Sequence, residues 1–414
     1  MDFDESPDEA GFRAEAVAWL DEHRSSPEAL RVRRRPGEDD AAFVERARPW
    51  QALLADHGWA AITWPETYGG RGAPPAYAAI FSEEAAKRSL PTSPFVVGTG
   101  MAGPTIITHG NADQLARYLP PMLRGDEVWC QLFSETGAGS DLAGLATRAV
   151  RDGNEWVIDG QKVWTSGAHY SDYGILLART DPNVPKHRGI TYFLIDMHQP
   201  GVEIRPLRQI TGASHFSEVF LTGARVPNDA VLGGVGGGWA TAMTTLANER
   251  TFMGGHGGGP GLADLFGLAR RSGATAEPRV RQGLAAAHSR AQIMNYLGMQ
   301  ARTAAAKGQP PGPGTSALKL MAAQHRKRNA DLALAIEGAA GMLAAASAPE
   351  GGQWQQYFLS APSIRIPGGS DEIQPHIIGE RVLSLPPDAR QAKHVPLRDV
   401  PTSAHRCRRR WWLV

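Results

Sequence analysis

Cysteine is nearly absent from this 414-residue chain: Cys130 and Cys407 are too few for a disulfide framework or a cysteine-based zinc site, and no metal site is expected. Both facts suit a reducing compartment. Net charge is equally scarce, because 43 lysines and arginines stand against 42 aspartates and glutamates. A formal charge of +1 offers no electrostatic footprint for nucleic acid or an anionic membrane, so neither is expected as a partner. No uninterrupted apolar stretch is long enough to cross a bilayer, and the acidic opening Met1 to Asp8 lacks the apolar core of a secretion signal. The expected location is the cytoplasm. No repeat of solenoid period is visible either.

What is present is enough chain for two or three domains. Ser6-Pro7-Asp8-Glu9 combines a capping hydroxyl, a first-turn proline and a glutamate three residues past the cap, which predicts a helix start. Phe12, Ala16, Val17 and Leu20 then recur at helical spacing, and further helices are expected around Ala41 to His57 and Ala76 to Ser89, with breaks at Trp64-Pro65 and Ala73-Pro74-Pro75. Residues 1–125 therefore read as a helical domain.

Residues 126–232 change character. Trp156 to Ile158, Gly174 to Ala178, Ile190 to Ile195 and Glu218 to Leu221 are short β-branched and aromatic runs, and Asp152-Gly153 and Asp159-Gly160 are turn signals. Spacing by turns rather than by long helices predicts an antiparallel sheet or barrel, not a doubly wound nucleotide domain. Helical pattern returns over residues 233–390, in Trp239 to Arg250, Val280 to Lys307 and Ser316 to Ala346, broken by the GQPPGPG run Gly308 to Gly314, and predicts a four-helix bundle. Residues 391–414 form a tail whose end, His405 to Val414, joins three arginines to two tryptophans and is expected to lack order. The whole is an α+β multidomain chain in the order α, β, α.

The chemistry-bearing stretch is Gln131 to Gly144, QLFSETGAGSDLAG, followed by Gly160 to Gly167, GQKVWTSG. A glycine-flanked run of hydroxyls and amides lets N–H donors approach anionic oxygens closely. With Gly58 to Gly70 (GWAAITWPETYGG), Phe216 to Phe220, Arg225-Val226-Pro227 and Gly368 to Pro386 (GGSDEIQPHIIGERVLSLP), it resembles the acyl-CoA dehydrogenase family over nearly the entire chain.

The resemblance implies FAD as cofactor and a CoA thioester as substrate. It places the backbone of Gln131, Leu132, Phe133 and Ser134, together with Gly139, Ser140, Trp164, Thr165 and Ser166, along the flavin. Trp164 would lie against the isoalloxazine and Ser166 would hydrogen-bond its hydride-accepting nitrogen. Many members carry a catalytic glutamate where this sequence has Gly368. A second subgroup, with isovaleryl- and long-chain-type enzymes and many actinobacterial homologues, places it on a bundle helix directly before an arginine. Leu246-Ala247-Asn248-Glu249-Arg250 matches that form, which makes Glu249 the expected base, its pKa raised by burial, beside Arg250. Ser140, Arg250 and the amide of Gly368 are expected on the substrate; Glu372 is expected to be structural or capping.

Two family segments are degraded. Ala269-Arg270-Arg271-Ser272-Gly273 stands for an Arg-x-Thr-Phe-Gly-like run, and Ala335-Ile336-Glu337-Gly338-Ala339-Ala340-Gly341 for a Gln-x-x-Gly-Gly-x-Gly run. Glu337 would set a negative charge near the pyrophosphate unless it points away. Either a heterotetramer with a related subunit or a homo-oligomer with a different adenine site accounts for this. The resemblance implies α,β-dehydrogenation to a trans-2-enoyl-CoA, with an electron-transfer flavoprotein as acceptor. The alternatives are a flavin monooxygenase or oxidase on the same fold, and a supporting subunit of a heteromeric dehydrogenase. Ala247 and the Gly254 to Gly259 run would leave room for a bulky acyl chain.

Overall fold

The computed structural model describes residues 5–32, 38–90, 95–253, 259–306, 314–344, 347–386 and 395–399. They divide into two compact units. The larger takes in Phe12–Leu207, Ser214–Glu249 and the stretch 395–399; the smaller takes in the described parts of Met1–Gly11, Arg208–Ala213 and Arg250–Asp388.

The chain opens on α1 (Pro7–His23) with the expected reciprocal cap: the Ser6 N–H donates to Glu9 Oε2 at 2.9 Å and the Glu9 N–H to Ser6 Oγ at 3.2 Å. After it come α2 (Pro27–Arg31), α3 (Asp40–Asp56), α4 (Pro75–Lys87), α5 (Gly103–His109) and α6 (Ala112–Arg124). Phe12, Leu20, Trp50, Trp59 and Phe81 form one buried cluster, in which Trp59 and Phe81 stack at 4.8 Å. Pro65 and the Pro74-Pro75 pair fall outside helical interiors, as expected.

The sheet contains β1 (Trp129–Leu132), β2 (Arg148–Asp152), β3 (Glu155–Ser166), β4 (Tyr173–Arg179), β5 (Ile190–Asp196), β6 (Val202–Leu207), β7 (Phe216–Pro227) and β8 (Val231–Leu232). All four runs expected as strands lie inside β3, β4, β5 and β7. The order is β6-β7-β3-β2-β4-β5-β8, with β1 also paired to β4. Most pairs are antiparallel, but β1 and β2 both run parallel to β4, so the sheet is mixed rather than purely antiparallel. A long excursion separates β1 from β4, and parallel pairing needs such a crossover.

Asp152-Gly153 does turn the chain, since Asp152 pairs with Glu155 and Gly153 has φ 62°. Asp159-Gly160 does not. It sits within β3 at an irregularity in the pairing with β7, where a Cβ on Gly160 would come 2.5 Å from Thr147 Oγ1. There the glycine serves close packing.

α7 (Gly238–Met253) follows the glycine-rich loop, and its residues up to Glu249 belong to the larger unit. The smaller unit holds α8 (Leu262–Arg271), α9 (Pro278–Ala306), α10 (Gly314–Glu337), α11 (Gln353–Ser360) and α12 (Ile373–Ile377). Leu265, Leu268, Leu284, Ala287, Ala330, Ala333 and Trp354 form its core. α10 stops at Glu337, short of the expected Ala346, because Gly338 takes φ 59° and turns the chain into a 3-10 segment. Most of the Gly308 to Gly314 break, Gly254 to Gly258 and the tail His405 to Val414 lie outside the described residues. Among the described residues no helix is long and apolar enough to cross a membrane, and no cluster of histidine, cysteine and acidic side chains could hold a metal.

Candidate active site

β1 delivers Gln131, Leu132 and then the loop residues Phe133 and Ser134. Leu132 and Phe133 are buried, with Phe133 edge-on to Tyr192 at 5.9 Å, so only their backbone can face a ligand. The Ser134 carbonyl accepts from the Val163 N–H at 3.0 Å and ties the loop to β3. Glu135 and Ala138 then exchange two backbone bonds of 3.1 Å, which turns Thr136 and Gly137 outward. Gly139 and Ser140 are also exposed.

An ion pair that the sequence pattern did not reveal fastens this loop. Lys162 is fully buried on β3, and its Nζ donates to Glu135 Oε1 at 2.8 Å and to the Phe133 carbonyl at 3.1 Å. Glu135 also accepts the Ala146 and Thr147 N–H groups, at 2.7 and 3.0 Å. Burial works to raise the Glu135 carboxyl, but the Lys162 charge and these donors outweigh it and hold the group below its ordinary value. The available signal was a lysine inside a strand's alternating pattern, two residues before the exposed Trp164.

β3 bulges between Lys162 and Thr165. There Trp164 takes φ 61°, rare for a bulky side chain, and leaves 60% of its surface exposed, edge-on to Phe216 at 5.9 Å. Ser166 is exposed as well. Thr165, between them, is buried, and its hydroxyl finds no hydrogen-bond partner among the described residues. Of these three expected flavin contacts, Trp164 and Ser166 present side chains outward, and Thr165 can offer only its backbone.

Periodicity on α7 fixes where Glu249 faces. Thr241 and Thr245 are buried, and Glu249 follows at the next four-residue step on the same face. Thr245 Oγ1 meets Thr105 Oγ1 at 2.9 Å and Tyr192 Oη at 3.0 Å, and Thr244 Oγ1 meets His109 Nε2 at 2.8 Å. Burial holds the His109 imidazole below its ordinary pKa and so favours the neutral ring. The turn before Glu249 is thereby seated on α5 and β5. Glu249 itself is half-buried, and Gln131 Nε2 donates to its Oε2 at 3.4 Å.

In the smaller unit, Gly368 and Gly369 make a tight turn with φ 64° and 91°, both suited to glycine. Gln374 Nε2 donates to their carbonyls at 2.9 and 3.1 Å, and Lys319 Nζ to that of Gly369 at 2.6 Å. Glu372 is the exposed N-cap residue of α12. Its side chain makes no capping bond, and a hydrogen bond with Ser370 holds its pKa below the usual value. Glu337, the charge expected to trouble a pyrophosphate, accepts from Gln355 Nε2 at 2.7 Å. Arg271 pairs with Glu350. The Arg250 side chain lies outside the described residues.

The surface over 131–140 and 164–166 fits a flavin. It has an outward indole plane on a strained bulge, exposed backbone at Gly137 and Gly139 where added Cβ atoms would meet nothing within 4 Å, and two outward-facing hydroxyl residues, Ser140 and Ser166. Internal packing requires neither glycine and buries little of the tryptophan.

This architecture is that of the acyl-CoA dehydrogenases. Models of the family's N-terminal, middle and C-terminal domains match residues 6–126, 130–223 and 236–383. Acyl-CoA dehydrogenase IpdE1 of Mycobacterium tuberculosis (strain ATCC 25618 / H37Rv) is 40% identical over 385 residues, 92% of this chain and 98% of that protein. Acyl-CoA dehydrogenase FadE34 of the same strain is 41% identical over 84% of this chain and 47% of its own length. Among solved structures, the Tcur3481-Tcur3483 steroid ACAD is similar with a TM-score of 0.80 and 32% identity, covering 94% of this chain and 100% of that one. The chain belongs to the acyl-CoA dehydrogenase family, whose members are oxidoreductases and generally flavin-dependent.

Proposed function

We propose that this chain is an FAD-dependent dehydrogenase that desaturates an acyl-CoA thioester between its α and β carbons, giving the trans-2-enoyl-CoA, with Glu249 as the base. The observation that carries the reading is the hydrogen bond from Gln131 to Glu249, because it sets a half-buried carboxylate against the first residue of the flavin-type segment.

When bound, FAD supplies the hydride-accepting ring. Trp164 would stack on it, Ser166 would donate a hydrogen bond to its edge, and the backbone of Gln131 to Ser134 with Gly139 and Ser140 would hold the rest. Glu249 accepts the α proton. Its seated helix limits the positions that the carboxylate can reach, and alignment of that kind is what removal of a weakly acidic α proton in step with hydride departure requires. The Gly368 amide polarises the thioester carbonyl as enolate charge develops, and Ser140 and Arg250 contact the CoA moiety.

Likeness to a steroid ACAD favours a bulky alicyclic acyl chain, and the small, exposed Ala247 beside Glu249 is compatible with one. Electrons leave through an electron-transfer flavoprotein. The chain works in an oligomer, and the ChsE4-ChsE5 complex of Mycobacterium tuberculosis, similar with a TM-score of 0.75 and 28% identity over 93% of this chain and 100% of that one, favours pairing with a related subunit.

The test is anaerobic mixing of the flavin-loaded protein with a panel of acyl-CoAs while absorbance is followed, then addition of acceptor or air. Bleaching by a bulky acyl-CoA and turnover only with the acceptor are expected. A protein that holds no flavin with or without a partner subunit, or that forms peroxide as fast as it turns over with acceptor, overturns the reading.

A further inference from the structure

We infer that the side chain of Gln131 is a positioning residue for Glu249, holding the carboxylate in one orientation before and after it takes a proton. The inference rests on the reading of Glu249 as the base.

Gln131 is the one amide side chain from Val128 to Phe133, in a segment where Val128, Trp129, Cys130, Leu132 and Phe133 are all buried. Burying part of an amide there is unfavourable unless it finds a partner. Its backbone is fixed by the parallel ladder with β4, opposite Ile175, so the side chain projects from a rigid point. Its Nε2 reaches Glu249 Oε2 at 3.4 Å. A carboxylate can only accept, which settles that the amide nitrogen, not its oxygen, faces Glu249.

The α7 seat fixes the backbone of Glu249 but not its three side-chain torsions. Thr245 and its hydroxyl partners lie a full turn back. An amide N–H is suited to the remaining task for two reasons. It is neutral, so it orients the carboxylate without the strong depression of basicity that a lysine or arginine would impose. It can also donate both to the Oε2 of a carboxylate and, more weakly, to the carbonyl oxygen of a carboxylic acid. The contact can therefore persist through the proton transfer.

The experiment uses the flavin-loaded enzyme in its native assembly, with Gln131→Met as the variant that keeps length and loses the donor, and Gln131→Leu as a second should methionine disturb folding. Each is made in the wild-type and the Glu249→Gln backgrounds. Flavin content, KM, kcat and deuterium wash-in at the acyl α carbon from heavy water are measured. Expected in the wild-type background is a ~10–100-fold fall in kcat and in α-exchange, typical of a misplaced reacting group, with flavin content and KM little changed. In the Glu249→Gln background the same change should lower the residual rate by no more than about twofold, because coupled groups are not additive. An equal fall in both backgrounds, or a wild-type-like rate in the single variants, overturns the role of Gln131 and leaves the base assignment standing. Near-normal turnover and exchange in the Glu249→Gln parent overturns the base, and the role of Gln131 with it.

Discussion

Lys162 Nζ and Glu135 Oε1 lie 2.8 Å apart with the lysine fully enclosed, so the strand that carries Trp164 and the loop that follows Gln131 are joined by a buried charge pair. Breaking such a pair from one side leaves a charge without its counterpart. Lys162→Met should cost ~3–5 kcal/mol of stability and lower flavin retention, measured by denaturant unfolding and by absorbance of the purified protein. Lys162→Met with Glu135→Gln should recover part of the loss. A single variant as stable as wild type would show that the pair does not hold the loop.

Trp164 offers a contrast between stability and binding. Its φ of 61° is costly for any side chain with a Cβ, while its indole is mostly exposed. Trp164→Gly should therefore leave the flavin-stripped protein as stable as wild type, or up to about 1 kcal/mol more stable, since glycine takes this conformation freely. Flavin affinity should fall at the same time, read by titration. If the stripped variant is destabilised by more than ~2 kcal/mol, the tryptophan is mainly a packing residue.

These two residues also mark what the sequence made legible. Trp164 and Ser166 sit in a short, dense motif, and the β-branched runs around them announce strands by composition and turn signals alone. Lys162 and Glu135 are equally central, but their pairing depends on β3 crossing the loop after β1, a relation between segments about 27 positions apart that periodicity does not carry. The parallel pairing of β1 with β4 escaped for the same reason. Asp159-Gly160 misled in the opposite way: its turn chemistry is genuine, but the glycine answers to the close approach of Thr147 across the sheet. The match to a family form singled out Glu249 as a candidate, whereas its contact with Gln131 became apparent only once β1 and α7 were placed together.

The helical part of the larger unit holds a carboxylate with a marked pH signature. Glu84 is buried and accepts from Lys87, Arg13 and Arg88. Burial opposes its ionisation, but these three cations prevail and lower its pKa from 4.5 to about 2. Because the folded value lies below the ordinary one, its contribution to stability is complete above about pH 4.5 and is lost as pH falls toward 2. Glu84→Gln should lower the unfolding midpoint at pH 7, and the gap from wild type should close across that acid window. A gap unchanged from pH 7 down to pH 3 would mean that the charge of Glu84 contributes nothing.

Glu249 and Glu372 are the two acidic residues that compete for the role of base, and their surroundings separate them. Glu372 is exposed, and its hydrogen bond with Ser370 stabilises the ionised form, which makes it a weaker proton acceptor than an ordinary glutamate. Glu249 is half-buried, stands on a helix anchored one turn earlier by Thr245, and is met by an uncharged donor. Glu249→Gln keeps shape and removes the proton acceptor, so substrate and flavin binding should survive while flavin bleaching by acyl-CoA falls ~10²–10⁴-fold or more. Glu372→Gln should stay within about threefold of wild type, as removal of an exposed charge usually does. Single-turnover bleaching under anaerobic conditions isolates the chemical step from product release and from the electron acceptor. A Glu249→Gln enzyme that bleaches at near-normal rate, beside a Glu372→Gln enzyme that does not bleach, would move the base from α7 to the segment that follows the Gly368 turn.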